Sequence, residues 1–164
     1  MNQNSNPYLE SQLEGAESIN DSIEFGDEAV FLANDGCPEI IVLEDDPMLL
    51  RQLKSMILST LPVARVTGFD SSIEAFDYLK SLRRLPQLAI LDIFLKKGTG
   101  IEFSRRLKKN QMSIPHFYVS GLPMIDFLGA VKGDTALPPY LEKPLDPMDL
   151  KRLLIHFLPG AVFQ

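Results

Sequence analysis

Polar side chains capable of phosphoryl chemistry stand directly after short apolar runs. Ile40–Leu43 is followed by Glu44, Asp45 and Asp46, and Leu88–Leu91 by Asp92. The run from His116 closes on Ser120, and Tyr140–Leu141 is followed two residues on by Lys143. Carboxylates gathered in one place repel one another unless a cation sits between them. Hard oxygen donors with positions left open to water suit Mg²⁺, which takes one or two carboxylates together with phosphate oxygens. An ammonium and a hydroxyl beside them would meet the oxygens of an incoming phosphoryl group. Such a site acts by positioning and charge neutralisation.

This chemistry needs a scaffold that brings the ends of the runs together. From residue 39 onward, apolar runs alternate with segments of helical period. The runs are Ile40–Leu43, Ala64–Thr67, Leu88–Leu91, His116–Ser120 and Tyr140–Leu141, short and rich in Val, Ile or Leu, as buried parallel strands are. Asp46-Pro47 and Asp146-Pro147 each offer an N-cap followed by Pro at the first helical position. Leu49, Leu53, Met56 and Ile57 recur at helical spacing after the first, and Leu150, Leu153, Leu154, Phe157 and Leu158 after the second. Ser71 with Glu74 reads as a capping box ahead of Ile73, Phe76 and Leu79, and Thr99 with Glu102 as another. The segment around Met124–Val131 is the weakest helix signal, because Gly129 interrupts it. The pattern is (βα)₅, an α/β fold with a doubly wound five-stranded parallel sheet and right-handed crossovers. In such a sheet the ligand site lies at the carboxyl ends of the strands, where the polar residues stand.

The runs Val42-Leu43-Glu44-Asp45-Asp46-Pro47, Leu91-Asp92-Ile93-Phe94-Leu95, Val119-Ser120-Gly121 and Tyr140-Leu141-Glu142-Lys143-Pro144 resemble the receiver domains of bacterial two-component response regulators, in particular the single-domain, chemotaxis-type receivers. The resemblance spans residues 39–160, with 47 residues from Asp45 to Asp92, 28 on to Ser120 and 23 on to Lys143. It implies a flavodoxin-like strand order 2-1-3-4-5. It also implies that Asp92 is the phosphoacceptor, with Glu44, Asp45, Asp92 and the backbone carbonyl of Phe94 holding Mg²⁺. Lys143 would bind phosphate, Ser120 would be the switch hydroxyl, and Tyr140 the aromatic that turns inward as Ser120 moves. The implied phosphodonor is a sensor histidine kinase or a histidine phosphotransfer protein, and the output is a change of shape read by a downstream protein target. Lys96 departs from the family, which often has Pro there.

Other readings compete for single residues. Asp92 alone could cap a helix, and Asp46 reads as a helix cap before a metal ligand. His116 and His156 have no partner cluster and read as structural. A phosphatase using an Asp nucleophile would carry a second Asp two residues on as general acid, where this chain has Phe94. The chain is therefore expected not to be a turnover enzyme. The alternative function is a pseudo-receiver acting as a phosphorylation-independent interaction module, against which the filled core positions weigh.

The 164 residues suit a single domain. Residues 1–37 contain eight acids and no Lys or Arg, whereas the other 127 residues carry 14 acids against all 16 bases. The expected division is an acidic N-terminal extension over 1–37, in part disordered, and a receiver domain over 38–164. Neither charge pattern is a nucleic-acid footprint. With Cys37 alone, no signal peptide and no spanning apolar stretch, a cytoplasmic protein is expected. Only about twenty residues follow Lys143, so output through a partner, a homodimer or phosphate relay is expected. Phe25, Val30, Phe31 and Leu32 make the extension a candidate docking segment for the outer face of the helix after Thr99, with Arg105, Arg106, Lys108 and Lys109, or for the output face that Tyr140 controls, and a disordered solubilising extension is the alternative.

Overall fold

The computed structural model describes residues 37–132 and 138–164. Five strands, β1 (Glu39–Leu43), β2 (Arg65–Phe69), β3 (Leu88–Asp92), β4 (His116–Ser120) and β5 (Tyr140–Glu142), form one parallel sheet in the order β2-β1-β3-β4-β5. The helices between and after them are α1 (Pro47–Thr60), α2 (Ser72–Ser81), α3 (Gly100–Lys109), α4 (Met124–Ala130) and α5 (Pro147–Phe157). This is the doubly wound, flavodoxin-like arrangement expected from the alternation of elements.

Side-chain alternation along the strands builds two cores. Ile40 and Val42 of β1, with Leu88 and Ile90 of β3, meet Leu53 and Ile57 of α1 and Leu150, Leu153 and Leu154 of α5 on one face. Ile41, Leu43, Ala89 and Leu91 point to the other face, against Phe76 and Leu79 of α2, Phe103 and Leu107 of α3, and Phe127 of α4. A strand covered on both faces has no polar side, so β3 is buried along its whole length. The fully buried β3 ends on Asp92, and that burial makes the carboxylate's surroundings consequential.

The helix starts follow their caps. Asp46 Oδ1 accepts from the backbone N–H groups of Met48 at 2.7 Å and Leu49 at 3.2 Å, and Asp146 Oδ1 accepts from Met148 at 2.7 Å. Thr99 and Glu102 form a reciprocal capping box on α3. Ser71 caps α2 in one direction only, accepting from the Glu74 N–H at 3.5 Å.

Local differences from the sequence expectations have packing reasons. β2 runs Arg65–Phe69 rather than 64–67, because this edge strand is only partly covered and its apolar signature is diluted. Ile73 is 58% exposed, and Ala75 takes the buried place beside Phe76 and Leu79. Leu49 is likewise on the open side of α1, whose buried positions are Leu53 and Ile57. Gly129 does not break α4, since Phe127 and Val131 anchor the helix in the core from either side of it. The acidic extension and its Phe25, Val30, Phe31 and Leu32 lie outside the described residues.

Candidate phosphoryl-acceptor site at the sheet edge

Parallel strands place all their carboxyl ends on one edge, so Glu44, Asp92, Ser120 and Lys143 come from β1, β3, β4 and the segment after β5. Glu44 is 1% exposed, Asp92 6% and Ser120 0%. Buried charge on this scale requires compensation, and Lys143 supplies it. Its Nζ donates to Glu44 Oε2 at 2.6 Å and to Asp92 Oδ2 at 2.7 Å. The other oxygen of each carboxylate accepts from a backbone amide, Asp46 N–H to Glu44 Oε1 and Phe94 N–H to Asp92 Oδ1, both at 3.1 Å. Four hydrogen bonds from three donors thus fix two carboxylates in one orientation.

The protonation equilibria follow from this burial. Loss of water pushes the Glu44 carboxyl above its ordinary value, and the Asp92 charge adds to that, against the pull of Lys143 and the Asp46 amide. Burial presses Lys143 down, yet its bonds to Asp92 and Glu44 outweigh it and hold the ammonium above its ordinary value. The cluster is therefore short of positive charge, with one ammonium against two buried carboxylates. Oxygen-only donors with an excess of negative charge fit a hard divalent cation. Among the described residues no three carboxylate, imidazole or thiol side chains converge on one point. A Mg²⁺ ion would accordingly take one or two carboxylates directly and keep several waters, as is usual for that ion.

Asp45 stands apart from this buried pair. Its Oδ2 accepts a very short hydrogen bond from the backbone N–H of Lys96, and its carbonyl accepts from Lys96 Nζ at 2.9 Å. Phe94, two residues beyond Asp92, has a ring that is 57% exposed and a backbone bridged to Thr99. Ser120 Oγ accepts from the Leu122 N–H at 3.3 Å, and the Ser120 carbonyl accepts from the Lys143 N–H at 2.8 Å, tying β4 to the lysine segment.

Tyr140 lies inward and fully buried, as the switch reading requires of one of its two positions. Its hydroxyl donates to the Ser120 carbonyl at 3.1 Å and, in a very short bond, to the Leu122 carbonyl. Its ring stacks on Phe127 at 4.5 Å between centroids. Burial pushes the phenol up to about 12. The phenol is thus bonded to the last residue of β4 and to the loop that follows it.

One contributor was not singled out from the sequence. An added Cβ on Gly100 would lie 2.2 Å from the Asp92 carbonyl oxygen, so the first turn of α3 packs closely on the Asp92 backbone. The only sequence signal was a glycine at the start of a helix that already had a capping box, a place where a side chain would ordinarily be preferred. The Lys96 contact to Asp45 had as its signal only the absence of Pro. Arg106, expected on the outer face of α3, lies over the Phe76 ring at 3.7 Å, so this face is partly engaged within the fold.

The family model described as the response regulator receiver domain matches residues 40–155. The chain belongs to that family. Receiver domains of solved structure share its fold at low identity. The signal receiver domain of a putative LuxO repressor protein from Vibrio parahaemolyticus superposes with a TM-score of 0.63 at 20% identity, over 74% of this chain and 90% of that one. A response regulator receiver protein from Burkholderia phymatum gives 0.63 at 23% identity, over 77% and 98%. The phosphorylated cyanobacterial phytochrome response regulator RcpA gives 0.62 at 20%, again over 77% and 98%. A curated relative, a protein-glutamate methylesterase/protein-glutamine glutaminase of Treponema denticola, is 30% identical over 83 residues. That match spans half of this chain and 22% of the relative's length, so the likeness is confined to a part of the larger protein.

Proposed function

We propose that this receiver domain accepts a phosphoryl group on Asp92 and signals by a change at the β4–β5 edge. The observation that carries the reading is the buried Asp92 carboxylate held between the Lys143 ammonium and the Phe94 amide at the end of β3. Both donors fix its orientation, and the Lys143 ammonium stands against its charge. A carboxylate oxygen of Asp92 attacks phosphorus as the bond from phosphorus to the donor's imidazole nitrogen breaks. The imidazole leaves with the electron pair and is protonated, and the product is a mixed anhydride on Asp92. Lys143 and the Ser120 hydroxyl then bind the phosphoryl oxygens, and Ser120 draws the end of β4 with it. Because the Tyr140 hydroxyl is bonded to the carbonyls of Ser120 and Leu122, such a shift alters the support of that ring.

Glu44, Asp45, Asp92 and the Phe94 carbonyl would hold Mg²⁺, which when bound neutralises charge on the transferring phosphoryl group. The donor is a sensor histidine kinase or histidine phosphotransfer protein, the reader a downstream protein or a second copy, and the setting the cytoplasm. Among the described residues no helix is long and apolar enough to cross a membrane. The domain boundaries we assign are 1–37 for the acidic extension and 38–164 for the receiver. The chain promotes its own phosphorylation and dephosphorylation and does not turn over a separate substrate.

The test is labelling with acetyl phosphate and Mg²⁺. The wild-type chain gains one base-labile phosphoryl group and Asp92→Asn gains none. Labelling that survives the substitution places the chemistry elsewhere, and sustained release of phosphate with no labelled chain accumulating makes the chain a phosphatase.

A further inference from the structure

Two hydrogen bonds tie the loop after β3 to the acidic run after β1, across 51 residues of sequence. Lys96 makes both, its backbone N–H to Asp45 Oδ2 and its ammonium to the Asp45 carbonyl at 2.9 Å. A proline at position 96 would have neither an N–H nor a charge, so it could form neither bond. The contact thus requires a residue other than Pro at position 96.

Asp45 therefore already has a partner before any divalent cation arrives. A cation taking Asp45 must share the carboxylate with the Lys96 amide and approach a resident positive charge, which opposes it. Lys143 cannot fill this role, because its Nζ is committed to Glu44 and Asp92. We infer that Lys96 is a positioning residue that holds Asp45 in the metal-free arrangement and competes with the divalent cation, setting the Mg²⁺ concentration at which the site loads. This rests on the assignment of Asp45 as a metal ligand.

The experiment is calorimetric titration of the full chain with MgCl₂ alone, with thermal unfolding followed in the absence and presence of Mg²⁺. Lys96→Met keeps the N–H and removes the ammonium, and lowers the half-saturating Mg²⁺ concentration about threefold, the scale of an exposed charge pair. Lys96→Pro removes both bonds and lowers it further. Lys97→Met, the same charge change on the exposed neighbour, shifts it less than Lys96→Met does. A merely structural strap would lower Tm equally with and without Mg²⁺, whereas competition makes the Mg²⁺-induced rise in Tm larger in Lys96→Met than in wild type. An unchanged or higher half-saturating concentration in Lys96→Met overturns the inference. If wild type binds Mg²⁺, Asp45→Ala does not, and Lys96→Met is indifferent, only the competition is wrong. If wild type binds none, the metal assignment falls and takes the inference with it.

Discussion

Two lysines serve the carboxylates of this sheet edge, Lys143 those of Glu44 and Asp92 and Lys96 that of Asp45, and burial separates what they do. Lys143 has a side chain 19% exposed and bridges two carboxylates whose side chains are 2% and 8% exposed. Lys96 is exposed and meets Asp45 through one backbone and one side-chain bond at the surface. In the first case water is excluded, so removing the cation strands two buried anions. In the second, water and salt can replace most of what the lysine provides. The same residue type is thus a structural necessity in one place and an adjustable influence in the other.

The sharpest way to break this comparison is Lys143→Met. It leaves Glu44 and Asp92 without their shared cation, for which loss of roughly 3–5 kcal/mol is expected. Urea unfolding should show this loss at neutral pH, together with failed phosphorylation. Since Glu44 is held above its ordinary value by burial, Lys143→Met followed by Glu44→Gln should recover part of the stability. A loss in Lys143→Met no larger than that in Lys96→Met would show that burial does not distinguish the two sites.

Next in size is Gly100→Ala, which tests whether the buried side of the site is rigid. The added methyl meets the Asp92 carbonyl oxygen, and a cost of roughly 1–3 kcal/mol is expected from overpacking. Labelling of Asp92 should slow as well, because the Asp92 backbone must move. A fully stable variant labelled at the wild-type rate would mean that α3 yields easily.

Tyr140→Phe tests the far end of the buried region. It removes the hydroxyl's bonds to the Ser120 and Leu122 carbonyls, at about 1 kcal/mol. The pH dependence gives a separate check. The folded phenol titrates at about 12 against 10.0 for an unperturbed tyrosine, so folding favours its protonated form. Its contribution to stability is complete below pH 10 and is lost as pH rises through 12. Wild type should lose this part of its stability in alkali and Tyr140→Phe should not. Parallel curves for the two proteins would remove the phenol from the account.

The smallest effect concerns access to the acceptor. Phe94 is exposed and Leu122 half-buried, and each is an apolar residue two positions beyond Asp92 and Ser120, respectively. They give water no hydrogen-bond guide, so the phosphoryl group should decay slowly. Phe94→Asn with Leu122→Glu should speed decay severalfold without changing stability measurably. Unchanged decay would show that water reaches the site by another path.

The order of the elements, the caps on α1, α3 and α5, and the set Glu44, Asp92, Ser120 and Lys143 were legible in the sequence. Each depends on local rules: alternation of apolar runs and helical periods, a side chain capping its own helix, and polar residues ending strands that share a direction. The family motifs added the assignment of Asp92 and of Asp45, which no local rule supplies. What only the tertiary structure decided was which charges are dry and which are wet. Lys143 stands after the last strand run and in a family motif, and Lys96 at a departure from one, but neither flank says that one lysine is dry and the other wet. Their difference comes from layers of other chain segments. Helices cover both faces around β3 and bury Asp92, while Lys96 lies on the loop leading out to α3. The same holds for Gly100, whose constraint is a close approach to the Asp92 carbonyl oxygen, and for Tyr140, whose hydroxyl meets carbonyls about twenty residues away. Contacts between segments distant in the chain depend on how the layers pack, and that is fixed by the sum of the two cores rather than by any residue's neighbours in sequence.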